Sequence, residues 1–313
     1  MKQTEGVSRV APPLGTYAKV DQGILGLDLF RPLPRRGRDA ARKRMFEVET
    51  VHGGRRLSVI GPYTLGADDL SILLAVLALS GLAGKKIQVG IAESQRVDIV
   101  DGLESEGDVV RLDHIRTTTT LYAICREAGV SPGGDAYERV KASLLRMRGV
   151  DDNDFGPVGY NSKRFWATGK QNFLTVRGEE EPGEFVVVIN ARFAAVMLGA
   201  PYSRVDLDEA RSLGEMARLL HLRLSVMVRQ GCKLEIGTDL LCEKIYGSAG
   251  KSGREKLDRR KHVREGMKDL NALPGWTVTE DRRRLKVHIQ RVPAERLPVL
   301  QPNVTGDVPP DGR

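Results

Sequence analysis

Residues 251–268, KSGREKLDRRKHVREGMK, gather eight basic side chains (Lys251, Arg254, Lys256, Arg259, Arg260, Lys261, Arg264 and Lys268) against three acidic ones, Glu255, Asp258 and Glu265. Their net +5 is more than half of the chain's formal +8, so a polyanion would be drawn here first. Val263, Met267 and Leu270 stand at i, i+4 and i+7, one face of a helix. The first half of the stretch lacks such a face. A helix of this kind docks on a core by its C-terminal half and projects its basic N-terminal half outward, as a helix laid in a DNA major groove must. A solvated surface helix is the competing reading. Arg254, Lys261, Arg264 and Lys268 fall roughly opposite Val263 and are expected to meet base edges, where arginine pairs bidentately with guanine. Arg259 and Arg260 flank the stripe and are expected to clamp phosphates, with Lys256 in the same DNA-binding set.

Such a helix needs neighbours to hold it. Residues 233–236 read as a short strand, Thr238 as the cap of a helix over 239–245, and Gly247-Ser248-Ala249-Gly250 as a turn into the basic helix. After it, 276–280 and 285–290 alternate like a hairpin whose tip carries Arg282, Arg283 and Arg284, a basic wing. The first half repeats this grammar. A hairpin is expected over 45–51 and 56–60, and Gly66-Ala67-Asp68-Asp69 caps an apolar helix over 70–79. Threonines open a helix over 117–128, and a Gly/Pro turn leads to a helix over 136–148. In that helix Val140, Leu144 and Met147 are expected inside, and Arg139, Ser143 and Arg146 outside, reading the other half of a DNA site. Strands over 159–168, 172–177 and 184–190 would form its wing, bearing Lys163, Arg164 and Lys170. A helix over 193–198, a strand over 202–207 and a helix over 208–228 open the second half, with His221 on the last as a structural residue. The expected fold class is α+β, two tandem winged-helix domains, each a helix-turn-helix plus a β-hairpin wing. The boundaries are a flexible tail over 1–23, a first domain over 24–190 with an extra N-terminal hairpin, a second over 191–292, and a disordered tail over 293–313.

Other chemistries find little support. The longest apolar run, 70–79, is about half of what spans a bilayer, so no membrane partner is expected. The N-terminus lacks a secretory signal pattern, which points to the cytoplasm. Three scattered cysteines form neither a disulfide framework nor a zinc pair, and they read as reduced thiols. The acids at 151–154 lack the glycine and closing Glu of a Ca²⁺ loop, so neither a metal nor any other cofactor is expected. Gly250-Lys251-Ser252 ends like a phosphate-binding loop but has Ile245 where its first glycine belongs. His288 stands alone in its strand, without the paired histidines of a strand-nicking site. A non-enzymatic protein is expected, with no catalytic residue. The basic segment over 31–44, with seven cations and one acid, is either a phosphate-binding arm or solvated coil.

Several stretches carry a family resemblance: Leu29-Phe30-Arg31, Gly66-Ala67-Asp68-Asp69-Leu70, Ala217-Arg218-Leu219-Leu220-His221 with Arg223-Leu224, Arg259-Arg260 before Val263-Arg264-Glu265, and Gly275-Trp276-Thr277-Val278-Thr279-Glu280. In order and spacing they resemble the replication protein C (RepC) family, the iteron-binding initiators of IncQ-type plasmids. That resemblance implies binding of double-stranded DNA at direct repeats in the origin. It also implies opening of adjacent A·T-rich duplex for a plasmid-encoded helicase and primase. The chain departs from the family pattern at 84–113 and 151–172. A transcriptional regulator of the same fold is the alternative.

Overall fold

The computed structural model describes residues 14–34, 37, 46–52, 55–61, 63–83, 85–87, 114–148, 159–162, 169–172, 174–177 and 184–292. Most of the basic segment over 31–44, the acids at 151–154, Lys163, Arg164 and the tail from 293 lie outside the described residues.

The chain is a mixed α/β protein built around small antiparallel sheets. One order of elements occurs twice. In the first unit α2 (Ala67–Ala83) is followed by β5 (His114–Thr120), α3 (Leu121–Glu127), α4 (Gly134–Arg148), β8 (Leu174–Arg177) and β9 (Glu184–Ile189). In the second, α7 (Glu215–Met227) is followed by β11 (Lys233–Gly237), α8 (Thr238–Tyr246), α9 (Gly253–Asn271), β12 (Trp276–Asp281) and β13 (Lys286–Arg291). The strand before the helix pair bonds the second strand of the closing hairpin in both units: β5 pairs β9, which pairs β8, and β11 pairs β13, which pairs β12. The first sheet gains β4 (Lys85–Ile87) along the free side of β5.

An inserted hairpin, β6 (Gly159–Ser162) and β7 (Gly169–Asn172), separates α4 from β8. It extends the early hairpin of β2 (Phe46–His52) and β3 (Arg55–Gly61) into a second four-stranded sheet, β2-β3-β6-β7. The hairpin expected as the first wing therefore divides. Only β8 and β9 close the first unit, and Lys170, on β7, belongs to the other sheet.

Four sequence expectations are corrected. Thr117–Thr120 extends a strand and does not open a helix, because β-branched side chains favour the pleated surface. Thr120 alone caps α3, accepting the Ala123 amide at 3.1 Å. The helix expected over 208–228 breaks at extended Leu213 into α6 (Leu207–Ser212) and α7, with Gly214 as the new N-cap. The tail expected to residue 23 holds β1 (Tyr17–Val20), whose Ala18 and Val20 are buried and which pairs β10 (Ser203–Asp206). Finally, the division at 190/191 does not follow the cores. The first core runs from Ala18 through Phe193, Val205 and Leu222, whereas the second starts at Leu213. The two meet along α7, which gives Leu219 and Leu222 to the first core and Ala217, Leu220 and Leu224 to the second.

Buried and half-buried arginines fasten this junction. Arg223 donates to the carbonyls of Gly26 and Leu27 and pairs with Asp28 at 2.7 Å, just after α1 (Gln22–Leu25). Arg218 reaches Ser71 on α2 and the carbonyls of Ala210 and Leu213. Arg211 pairs with Glu127 at 2.6 Å and donates to the Gly15 carbonyl. Carbonyl acceptors let each guanidinium satisfy several donors, the condition under which a buried charge is tolerated. His221 is fully buried, 2.8 Å from Glu209, which also accepts the Trp276 indole N–H at 2.9 Å. The ring thus has a structural setting between α6, α7 and β12. α5 (Ala191–Met197) completes the first core, with Asn190 capping it through the Phe193 amide.

Candidate nucleic-acid interface

α9 is set in place by capping, close approach and packing. Gly247 ends α8 in the left-handed region (φ 71°), where a side chain would also collide with the Arg31 guanidinium. Ser252 accepts the Glu255 amide at 3.2 Å and Glu255 in return accepts the Lys251 amide at 2.8 Å, closing the start of α9 from both sides. Val263, Gly266, Met267 and Leu270 are buried. Gly266 faces Leu220, Met216 and the backbone of Ala217 so closely that a Cβ would stand 2.8 Å from carbon atoms of Leu220 and Met216. Its absent side chain lets α9 lie directly on α7. Beyond α9, Trp276 is buried at the head of β12, with the Arg291 guanidinium 4.9 Å from its ring centre.

On this frame the predicted cations divide into two groups. Arg264 forms two hydrogen bonds, 2.7 and 3.0 Å, with Glu280 of β12, which also accepts the Thr238 hydroxyl. The Arg264 hydrogen bond is the main cause holding the Glu280 carboxyl below the ordinary glutamate range. Arg260 makes the same fork with Asp239 at 2.6 and 2.7 Å, and that contact lowers the Asp239 pKa. Arg259 lies 4.6 Å from the Tyr246 ring centre and bonds the Ser248 carbonyl and Glu255. These three arginines fix the angle between α8, α9 and the hairpin. By contrast, the side chains of Arg254, Lys256, Lys261 and Lys268 are exposed and make no hydrogen bond or ion pair among the described residues. Leu257 stands 61% exposed among them. At the hairpin tip Arg283 is likewise free among the described residues, while Arg282 and Arg284 are exposed and reach Glu280 and Asp281 only at 3.8 Å. Asp281 accepts the amides of Arg283 and Arg284 and shapes that turn.

Sequence reasoning thus placed Arg254, Lys261 and Lys268 on the outer face, as observed, but put Arg264 there too. It missed Leu257, an apolar residue in the half of the helix read as lacking an apolar face. It also missed Asp239 and Glu280, whose only signal was their position one strand or helix away from an arginine.

In the first unit the expected reading face is corrected. Ser143 is buried and donates to Asp69 at 2.7 Å, and Arg146 bonds the same carboxylate oxygen at 2.6 and 3.0 Å. The other oxygen of Asp69 accepts the Gly66 amide at 2.8 Å, so the residue is both helix cap and interhelical tie. Of the three residues only Arg139 is exposed, with its Nε 3.4 Å from the Asp135 carbonyl. The outward face of α4 instead presents Glu138, paired with Lys141 at 2.9 Å, and Leu145, 46% exposed. The cause lies in helix arithmetic, since residue 143 sits only about 60° from Val140 at 100° per residue.

The outer face of α9 carries exposed cations that make no ion pair among the described residues, interleaved with exposed Asp258 and Glu265, beside a hairpin tipped with arginines. The sequence profile of the family described as Replication protein C (RepC) matches residues 16–292, and the chain belongs to that family. No curated protein matches it in sequence. Among solved structures it is similar to two crystal structures of domains 2 and 3 of RctB, at 14% and 13% identity and a TM-score of 0.47 for each. Each similarity covers 86% of this chain and 96% of the other. Among the described residues there is no cluster of three metal-ligating side chains, and no helix is long and apolar enough to cross a membrane.

Proposed function

We propose that the chain is a non-enzymatic plasmid replication initiator that binds double-stranded direct repeats, or iterons, at an origin through its second unit, in a winged-helix manner. α9 enters the major groove with Arg254, Lys261 and Lys268 toward the bases and Lys256 near the backbone, and Arg282, Arg283 and Arg284 straddle flanking phosphates. Leu257 suits the apolar contact that a thymine methyl offers. The observation that carries this reading is the division of charge on α9. Arg259, Arg260 and Arg264 are already held by carboxylates, carbonyls or an aromatic ring, whereas the outward cations make no ion pair among the described residues. Membership of the RepC family supports a replication role. Strain on bound repeats then opens adjacent A·T-rich duplex, where the plasmid's helicase and primase load.

The test is a footprint on supercoiled origin DNA, with permanganate probing of unpaired thymines. Protected, evenly spaced direct repeats with reactive thymines beside them support initiation. Protection of a single inverted repeat without reactive thymines supports a repressor instead. A nick produced by protein and Mg²⁺ would contradict the non-enzymatic assignment.

A further inference from the structure

The ribbon of β1 and β10 lies apart from α9 and has an outer face of unusual composition. Ala18, Val20, Ser203 and Val205 point inward and are buried, so Tyr17, Lys19, Arg204 and, just before the strand, Tyr202 share the outer side. Lys19 and Arg204 are cross-strand partners. The cations and rings interleave, with the Arg204 guanidinium 4.4 Å from the Tyr17 ring centre and the Lys19 ammonium 5.0 Å from that of Tyr202. Both rings remain open to solvent, Tyr17 at 37% and Tyr202 at 42%.

The acids nearby are committed elsewhere. Asp206 caps α6 by accepting the Glu209 amide at 3.0 Å, and Asp21 pairs with buried Arg192 at 2.9 Å. The face therefore offers two planar rings and two cations, with no free carboxylate among the groups named. A phosphate backbone satisfies the cations, and an unstacked base satisfies the rings. In duplex DNA the base faces are already covered by their neighbours, so rings of this kind gain stacking only from an unpaired strand. Four-residue strands span about 13 Å, room for roughly two nucleotides. We propose that this face binds single-stranded DNA, with Tyr17 and Tyr202 as stacking surfaces and Lys19 and Arg204 as phosphate contacts. The proposal does not depend on α9 reading repeats.

The experiment uses the full chain and an oligo(dT) of about 15 nucleotides. Photocrosslinking with 5-iododeoxyuridine in that oligonucleotide is predicted to mark Tyr17 or Tyr202 of the wild-type protein, mapped by mass spectrometry. By anisotropy, Tyr17→Leu with Tyr202→Leu should weaken oligo(dT) binding about 5- to 150-fold per ring lost, while duplex affinity stays unchanged. Lys19→Gln with Arg204→Gln should weaken it as well and flatten its salt dependence. The proposal is overturned if the wild type does not bind oligo(dT), or if crosslinks map away from the ribbon. Equal loss on duplex and oligo(dT) overturns it too, since the ribbon would then be a general phosphate contact. Charge removal on α9 separates the two sites, because it should abolish repeat binding and leave the Tyr17 and Tyr202 crosslinks in place.

Discussion

Replacing Glu280 by glutamine should make the protein less stable and yet a tighter general DNA binder. Glutamine keeps the shape and still accepts the Thr238 hydroxyl, but it removes the charge that holds Arg264 in a two-bond fork. Glu280 is 8% exposed and Arg264 27%, so the pair is neither deep in the core nor fully screened. Charge-assisted bonds at buried sites are worth about 1.5–3 kcal/mol, and exposed pairs fall to about 0–1 kcal/mol. The expected loss is therefore about 1 kcal/mol, read from urea unfolding. The freed guanidinium becomes one more cation on the outer face of α9. Each added phosphate contact steepens the plot of log affinity against log salt by about 0.9. Glu280→Gln should thus show a slope steeper by about 0.9 on DNA without repeats, with higher affinity at low salt. An unchanged or shallower slope, with stability lowered as expected, would refute the claim that Glu280 withholds Arg264 from DNA.

The remaining predictions concern the frame and its charge. Gly266→Ala should destabilise by about 1–3 kcal/mol in urea melts, since its Cβ meets Leu220 and Met216 at 2.8 Å; a neutral result would mean that α9 lies farther from α7. Trp276→Phe should cost about 1–3 kcal/mol by removing the indole donor to Glu209, and an unchanged unfolding midpoint would show that bond to be dispensable. The Glu280 pKa is depressed, so its contribution is complete at neutral pH and is lost only as pH falls through its folded value. The stability gap between wild type and Glu280→Gln should accordingly hold from pH 7 down to the ordinary glutamate range and shrink below it; closure near pH 6 would contradict the assignment. With about seven cations on α9 and the hairpin tip, repeat affinity should fall on the order of 10³-fold or more between 50 and 200 mM salt, and a salt-insensitive complex would exclude phosphate contact.

Strong local signals made the second unit legible in sequence. The Val263 stripe, the glycine turn before it and the Trp276 hairpin each specify an element from adjacent residues, and all three stand where expected. The failures have a common origin in contacts across long sequence separations. Tyr17–Val20 is a strand only because Ser203–Asp206, far along the chain, supplies its partner. Likewise, Ser143 and Arg146 are drawn inward by Asp69 on another helix. The same holds within the interface, where charge count could not separate Arg264 from Lys261. The difference is Glu280, which the fold brings beside one and not the other. Periodicity locates a helix face, but the neighbouring element decides which of its cations remain free.

The surface proposed to grip the repeats is the outer face of α9. The most direct test is the affinity of full-length protein carrying Arg254→Ala, Lys261→Ala and Lys268→Ala together for a single-repeat duplex, beside a variant with Arg139→Ala in the first unit. Loss of the three exposed cations should weaken binding by at least about 100-fold, at roughly 1–3 kcal/mol for each base-reading contact. It should also reduce the salt slope and leave the unfolding midpoint unchanged, because none of the three makes an ion pair among the described residues. Wild-type affinity in the triple variant, or a larger loss from Arg139→Ala, would contradict the account and move the interface to another face.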